Sequence, residues 1–225
     1  DLKFNIINDI RKNKKISFKG KIRNASINSK EIKKNDIFFA IKGKNKDGNK
    51  FINEAFKKGA SLAVVNKIDK SKKRNKQIKV ENTLTFLTKA SEIIRQNSLS
   101  KIIAITGSCG KTSLKELLSE TLSRFGNVSS SPKSFNNKYG VPLSLFNLNI
   151  NHEYGVFEAG MDKKGEIDRL TKIINPDVGI ITNISYAHAK NFKNINQIAL
   201  AKAEIINNIK PGGLIILNAD DSFFS

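Results

Sequence analysis

The stretch Ile102–Leu118, IIAITGSCGKTSLKELL, constrains the chain more than any other part of it. The β-branched run Ile102, Ile103, Ala104, Ile105 reads as a buried parallel strand. It breaks at Thr106-Gly107-Ser108-Cys109-Gly110-Lys111-Thr112 and resumes with Leu114, Leu117, Leu118 and Leu122 at helical spacing. Strand, glycine turn, Lys-Thr and helix together suit a phosphate. Glycines let backbone N–H groups approach its oxygens, and a helix start adds unsatisfied donors and a positive dipole end. Lys111 would reach β- and γ-phosphates and the Thr112 hydroxyl would ligate Mg²⁺. The common P-loop spacing would need a glycine at Ile105, so this loop is a shorter variant. The plainer alternative is a strand–helix turn with an exposed lysine.

A chain of 225 residues can bury a sizeable core, as one large domain or two small ones. Its formal net charge of +20 raises nucleic acid as a partner. The lysines are scattered, however, apart from Arg11–Lys15 and Lys67–Lys79, and read mainly as solvated surface. One cysteine excludes a disulfide framework and a cysteine-built metal site. That cysteine, Cys109, lies in the phosphate loop, as an oxidation-sensitive thiol or simply a small residue at a variable position. No apolar run approaches membrane-spanning length and no signal-peptide pattern opens the chain, so the expected location is cytoplasmic, with no membrane insertion. A chain that starts at Asp1 and stops at Ser225 soon after a strand is expected to be a fragment.

Residues 1 to 20 suggest no role. Asp36–Ile41 reads as a strand, Lys42–Lys50 as a glycine-bearing loop, Phe51–Lys58 as a short helix capped by Gly59, and Ser61–Val65 as the next strand. Ile68–Lys79 reads as a β-hairpin tip or disordered loop, and Thr83–Gln96 as a helix. A boundary between Val80 and Ser100, set at 82/83, separates a small α/β domain (1–82) from a second domain (83–225). In the second, SPKSFNNKYGVP is a rigid polar segment, and Val141-Pro142 opens a helix. Strands at Tyr154–Glu158, Asp177–Ile184 and Gly213–Asn218 alternate with helices at Gly165–Ile174 and Ile195–Ile209. The alternation predicts an α/β fold with a doubly wound parallel sheet. Thr106–Thr112, Glu158 and Asn183–His188 all follow strands, where such sheets gather functional side chains.

At that edge, Glu158 could hold Mg²⁺ with Thr112, or form a salt bridge to Lys111 or cap a helix. His188 could be a metal ligand or a hydrogen-bonded structural residue. Lys202, beside the apolar stripe Ile198, Ala201, Ile205 and Ile209, could snorkel to solvent.

Taken together, TGSCGKT, SFNNKYGVP, EAGM with GEI, ITNIS with AH, and IALAKAEI resemble the Mur ligases, ATP-dependent amide-forming enzymes of peptidoglycan precursor synthesis. NSKEIKKNDIFFAIKGKNKDGNKF is similar to that family's UDP-binding domain, so the resemblance runs from about Ile22 to Asp221. SFNN followed by GVP, with EAGM and GEIDRL, is closest to the branch that joins D-alanyl-D-alanine to a UDP-N-acetylmuramoyl-tripeptide. The resemblance implies ATP and two Mg²⁺ ions. Thr106, Gly107, Ser108, Cys109, Gly110, Lys111 and Thr112 would bind ATP phosphates, with Asn136, Asn137 and Asn183 nearby. Thr112 and Glu158 would serve the first Mg²⁺, and His188 and a carbamylated Lys202 the second. Lys111, Glu158, His188 and Lys202 would then carry the catalysis. Ser29, Lys30, Lys42, Gly43, Asp47, Gly48 and Asn49 would contact the uridine diphosphate. Two departures fall there: the family's Asp-Ser-Arg is Asn28-Ser29-Lys30, exchanging a bidentate contact for a point charge, and its Asp-Gly-His is Asp47-Gly48-Asn49. The family's third domain, which brings the amine donor, has no counterpart here, so the piece alone is expected to be inactive and monomeric. The ligase adding the third peptide residue and a basic P-loop protein binding nucleic acid are the alternatives. SFNN argues against the first. Against the second stands the lack of clustered arginines and stacking aromatics.

Overall fold

The computed structural model describes residues 2–11, 18, 20–43, 46–71, 73–186 and 189–224, the side chain of Ala189 excepted. The chain divides into two units, Asp1–Gln96 and Asn97–Ser225.

The first unit is built on a four-stranded, wholly parallel sheet. Its elements are α1 (Leu2–Ile10), β1 (Ala25–Ser26), β2 (Ile37–Phe39), α2 (Ile52–Lys57), β3 (Leu62–Val65), β4 (Gln77–Lys79) and α3 (Thr83–Gln96), and the strands lie in sequence order. The runs IFF and LAVV are buried throughout, as strands covered on both faces require. Phe38, Ala40, Ile52, Ala55, Phe56, Ala63 and Val65 form one core cluster. Gly59, at φ 106°, ends α2 in a conformation open to glycine, and its N–H donates to Phe56 O.

Ile68–Lys79 is neither hairpin tip nor wholly irregular. Arg74–Lys76 forms a 3-10 turn and β4 pairs parallel to β3, which rules out a hairpin. Its signal was hidden because only Ile78 of QIK is apolar. Helix α1 was also missed; it buries Ile6 and Ile7 and packs on α3. That contact, with α3 against β2, places the division between units after α3. It falls inside the Val80–Ser100 window but beyond 82/83.

Lys3 on α1 is 6% exposed, and its Nζ donates to Arg23 O at 2.6 Å. Burial lowers its pKa to about 8, against the opposing pull of Asp36. Between about 8 and 10.5 the unfolded chain therefore binds the extra proton, so stability rises with pH through that window and is lost as pH falls through it. Lys3→Met is expected to raise stability at pH 7 by roughly 1–3 kcal/mol and to narrow its advantage by pH 10. Denaturant titrations at both pH values check this; an advantage independent of pH would contradict it.

The second unit carries β5 (Lys101–Thr106), α4 (Lys111–Leu122), β6 (Val128–Ser130), α5 (Gly140–Phe146), β7 (Tyr154–Glu158), α6 (Glu166–Ile174), β8 (Val178–Ile181), α7 (Ile195–Ala203) and β9 (Leu214–Leu217). Its sheet has the order β6-β7-β5-β8-β9, all parallel. From β5 the chain moves out to β6, returns to β7 beside β5, and continues on β5's other side with β8. This reversal at β5 makes the carboxyl ends of β5, β7 and β8 the topological switch point, the usual ligand position in such sheets. All seven residues of α5 are buried, with Pro142 tolerated in its first turn. The predicted helix Ile195–Ile209 is helical only to Ala203 and then tightens to a 3-10 segment, Glu204–Asn208. Glu204 accepts from the N–H groups of Gly165 and Asp168 at the start of α6, and Asn208 donates to Asp168, so capping α6 takes precedence over extending α7. Among the described residues no helix is long and apolar enough to cross a membrane.

Candidate functional site

The loop after β5 is shaped by two glycines. Gly107 has φ 148°, and Gly110 has φ 78° as the residue before α4. A Cβ on Gly107 would lie 1.8 Å from Thr182 Oγ1. Gly107→Ala is therefore expected to lower stability by roughly 1–3 kcal/mol and to loosen the loop. Thermal unfolding reads it, and an unchanged midpoint would contradict it.

What holds the loop comes from the end of β8. Ser108 N donates to Asn183 O at 3.0 Å and Cys109 N to Asn183 Oδ1 at 3.0 Å. Asn183 Nδ2 and Thr182 Oγ1 both donate to Cys109 O, at 3.2 and 2.6 Å. Ser108 Oγ donates to Ser185 O and accepts from Ser185 N. Asp221 in turn accepts from Ile184 N at 2.6 Å. Asn183 thus braces the loop backbone. The donors of Ser108 and Cys109 are engaged by it, which leaves the amino end of α4 as the anion cradle. Helix α4 has no side-chain cap and no acidic residue in its first turn.

Lys111 opens α4 and its Nζ folds back onto the loop, 2.7 Å from Gly107 O. Burial lowers its pKa, while Glu158 and Cys109 oppose the shift. Cys109 is exposed. Thr112 follows on the same turn, half-buried. Thr106 is fully buried, and its Oγ1 has no hydrogen-bond partner among the described residues.

Glu158 ends β7 with no exposed surface. Its ion pair is with Lys115, not with Lys111: Lys115 Nζ lies 3.4 Å from Oε1. That contact lacks hydrogen-bond alignment, so Oε1 is charge-compensated yet accepts no hydrogen bond from the described residues. Asn136 Nδ2 lies 3.4 Å from Oε2, and Asn136 O accepts from Gly160 N at 2.7 Å. Asn137 is turned to another use. Its Oδ1 accepts from Tyr139 N and Gly140 N, fixing the start of α5. Lys115 is the member of this cluster that sequence reading missed, because a lysine on an amphipathic helix ordinarily points to solvent.

Lys202 does not snorkel; it is 3% exposed on α7. Burial first, then the Lys111 cation, lowers its pKa to about 8, against Cys109. His188 lies outside the described residues. Among those described, no three His, Cys, Asp or Glu residues group as a metal site. The groups at the first position nevertheless fit a hard cation: the Glu158 carboxylate offers a buried oxygen that has no hydrogen-bond donor among the described residues, and Thr112 adds a hydroxyl. Mg²⁺ is commonly held by one or two protein oxygens with water and phosphate completing its shell.

In the first unit, Asp47 Oδ1 accepts from the Asn49 backbone and side chain at 3.0 and 2.6 Å, which holds its carboxyl below the usual range. Asn49 Nδ2 also donates to Asn66. Gly48 is required by packing, since a Cβ would lie 2.7 Å from the Ala40 and Ile41 backbone. Gly43 N donates to Lys46 O, and the backbones of Lys42 and Asp47 pair as an isolated antiparallel β-bridge. Lys44 and Asn45 within this loop lie outside the described residues. Ser29 donates to Glu54 of α2 at 2.5 Å, and Gly48–Phe51 leads directly into α2. The structure therefore collects Ser29 and the Asp47–Asn49 turn around the start of α2. Lys30 and Lys42 stay exposed.

The Mur ligase middle domain matches residues 105–225, and the Mur ligase family catalytic domain matches residues 21–95. The UDP-N-acetylmuramoyl-tripeptide–D-alanyl-D-alanine ligase of Buchnera aphidicola is 38% identical over 91% of the chain. The chain spans 44% of that relative's length. The crystal structure of MurF from Acinetobacter baumannii superposes with a TM-score of 0.78 at 35% identity, over 90% of this chain and 44% of that one. MurF from Thermotoga maritima in complex with ADP gives 0.74 at 33% identity, over 88% and 46%.

Proposed function

The chain belongs to the Mur ligase family, and we propose that it supplies the nucleotide-sugar and ATP sites of a ligase that joins D-alanyl-D-alanine to UDP-N-acetylmuramoyl-tripeptide. The observation that carries this reading is the 38% identity over 91% of the chain to a relative of that name. The gathering of Lys111, Thr112, Asn136 and Glu158 at one sheet edge is consistent with it. The ADP complex of the Thermotoga maritima protein supports a nucleotide site in this chain as well.

The reaction has two steps. The terminal carboxylate of the muramoyl peptide attacks the γ-phosphorus of ATP, forming an acyl phosphate and releasing ADP. The amine of D-alanyl-D-alanine then attacks the acyl carbon, and phosphate leaves as the amide forms. Lys111 would swing from Gly107 O to the phosphates, and the amino end of α4 would hold their oxygens, so alignment and charge neutralisation do most of the work. Thr112 and Glu158 would hold Mg²⁺, which supplies Lewis-acid neutralisation of phosphate charge. Asn136, against Glu158, would orient the transferring group. Asn183 would act on ATP indirectly, by fixing the Ser108–Cys109 backbone.

A second cation would need His188 and Lys202. As an amine Lys202 repels a cation, but its neutral form can add CO₂ and release a proton to give an anionic carbamate. The pKa of about 8 favours that neutral form over an ordinary lysine's. In the first unit, Ser29, Lys30, Lys42, Gly43, Asp47, Gly48 and Asn49 are proposed around the uridine diphosphate, with Lys30 giving charge without bidentate geometry. The setting would be peptidoglycan precursor synthesis in the cytoplasm, with a monomeric enzyme.

The test is a hybrid in which the unmatched remainder of the Buchnera relative is joined after Ser225. ATP-dependent product from UDP-muramoyl-tripeptide and D-alanyl-D-alanine, and none from single amino acids with the UDP-muramoyl-dipeptide, is expected. The reverse preference would assign the chain to the preceding ligase.

A further inference from the structure

Lys115 is the single fully buried side chain of α4, a helix whose leucines are half-buried or exposed. Its Nζ donates to Ser131 O at 2.7 Å and to Lys133 O, and lies 3.0 Å from Glu116 Oε1 and 3.4 Å from Glu158 Oε1. Three N–H donors therefore face four oxygens drawn from α4 itself, from the loop after β6, and from the end of β7. A buried ammonium is costly unless so surrounded, and an ion pair alone would not require the two carbonyls.

The three elements joined here are those that carry the phosphate chemistry. Helix α4 begins at Lys111 and Thr112. The segment after β6 runs from Ser131 through Lys133 to Asn136, and β7 ends at Glu158. Backbone bonds already tie this segment to β7, through Ser131 N to Val156 O and Gly160 N to Asn136 O. Ser131 Oγ accepts from Glu158 N at 3.4 Å. Toward α4 the tie is Lys115. Among the described residues Glu158 Oε1 accepts no hydrogen bond, and Asn136 stands at Oε2. The carboxylate is thus fixed in place while keeping acceptor capacity.

We propose that Lys115 is a positioning residue of the phosphate site: it sets Glu158 and the Ser131–Asn136 segment relative to the start of α4, so that metal-bound nucleotide is held rather than nucleotide alone. This rests on the reading of Glu158 as a Mg²⁺ ligand. A merely structural lysine would affect both forms of the nucleotide equally.

The experiment is calorimetric titration of the 225-residue chain with ADP in excess Mg²⁺ and with ADP in EDTA, for wild type, Lys115→Met, Lys115→Gln and Glu158→Gln. Wild type is expected to bind MgADP more tightly than metal-free ADP. Lys115→Met should weaken MgADP about tenfold or more and metal-free ADP less than about twofold. Lys115→Gln, whose amide can still donate to a carbonyl, should show the same selectivity with a smaller loss, and it serves if Lys115→Met does not fold. Equal losses in both titrations, or no loss, with the Mg²⁺ preference abolished only in Glu158→Gln, would overturn the role of Lys115 alone. A wild type with no Mg²⁺ preference would overturn the reading of Glu158 and this proposal with it.

Discussion

Lys111→Ala is expected to abolish ATP-dependent product formation by the hybrid ligase, with a fall on the order of 10³-fold or more. The lysine stands at the first residue of α4, where its chain can reach anything bound to the helix start. Its hydrogen bonds go to the carbonyls of Gly107 and, at 3.5 Å, Ser108, within its own loop. Those contacts are replaceable by phosphate oxygens, which are stronger acceptors for an ammonium. The loop itself is braced by Asn183, Thr182 and Ser185, none of which depends on the lysine. Alanine should therefore leave the fold and its unfolding midpoint close to wild type while removing the charge that follows the transferred group. Steady-state product assays and thermal melts together check this. Undiminished turnover would remove Lys111 from the site.

Glu158→Ala has the second large effect, and it reaches stability as well. The carboxylate and the Lys115 ammonium are both fully buried at 3.4 Å. Removing one member of such a pair leaves the other charge uncompensated, at a cost of about 3–5 kcal/mol. Glu116, whose Oε1 lies at 3.0 Å, has a side chain 64% exposed and offsets only part of this, since solvent screens it. The second unit should unfold at distinctly lower denaturant concentration than in wild type. Glu158→Ala with Lys115→Met, which removes both charges, should recover much of that loss. Equal stability of the single and double variants would contradict the coupling, and a stable, active Glu158→Ala would contradict the role of the carboxylate altogether.

Much of the second unit was legible because its strands are short apolar runs ending in polar residues, and because glycine, lysine and threonine stand together after β5. That pattern depends on local chemistry, so sequence carries it. The link between Lys115 and Glu158 depends on which face of α4 meets β7, and a lysine there looks like any solvated one. Asn183 was legible as a site residue but not as the brace of Ser108 and Cys109, because its partners lie across the sheet edge. Asn137 likewise read as a ligand residue but not as the residue whose side-chain Oδ1 fixes the start of α5. Helix α1 and strand β4 escaped notice because lysines and asparagines dilute their apolar faces. In α1 only Ile6 and Ile7 are fully buried apolar residues, and in β4 only Ile78.

A nucleotide-sugar site and an ATP site of a Mur ligase are proposed to lie in this chain. Calorimetric titration with UDP-N-acetylmuramoyl-tripeptide, beside duplex DNA at matched ionic strength, tests it most directly. Saturable binding of the sugar peptide, lost when UDP is supplied in excess, is expected, with DNA binding weak and screened by salt. Tight DNA binding with none of the nucleotide-sugar peptide would contradict it.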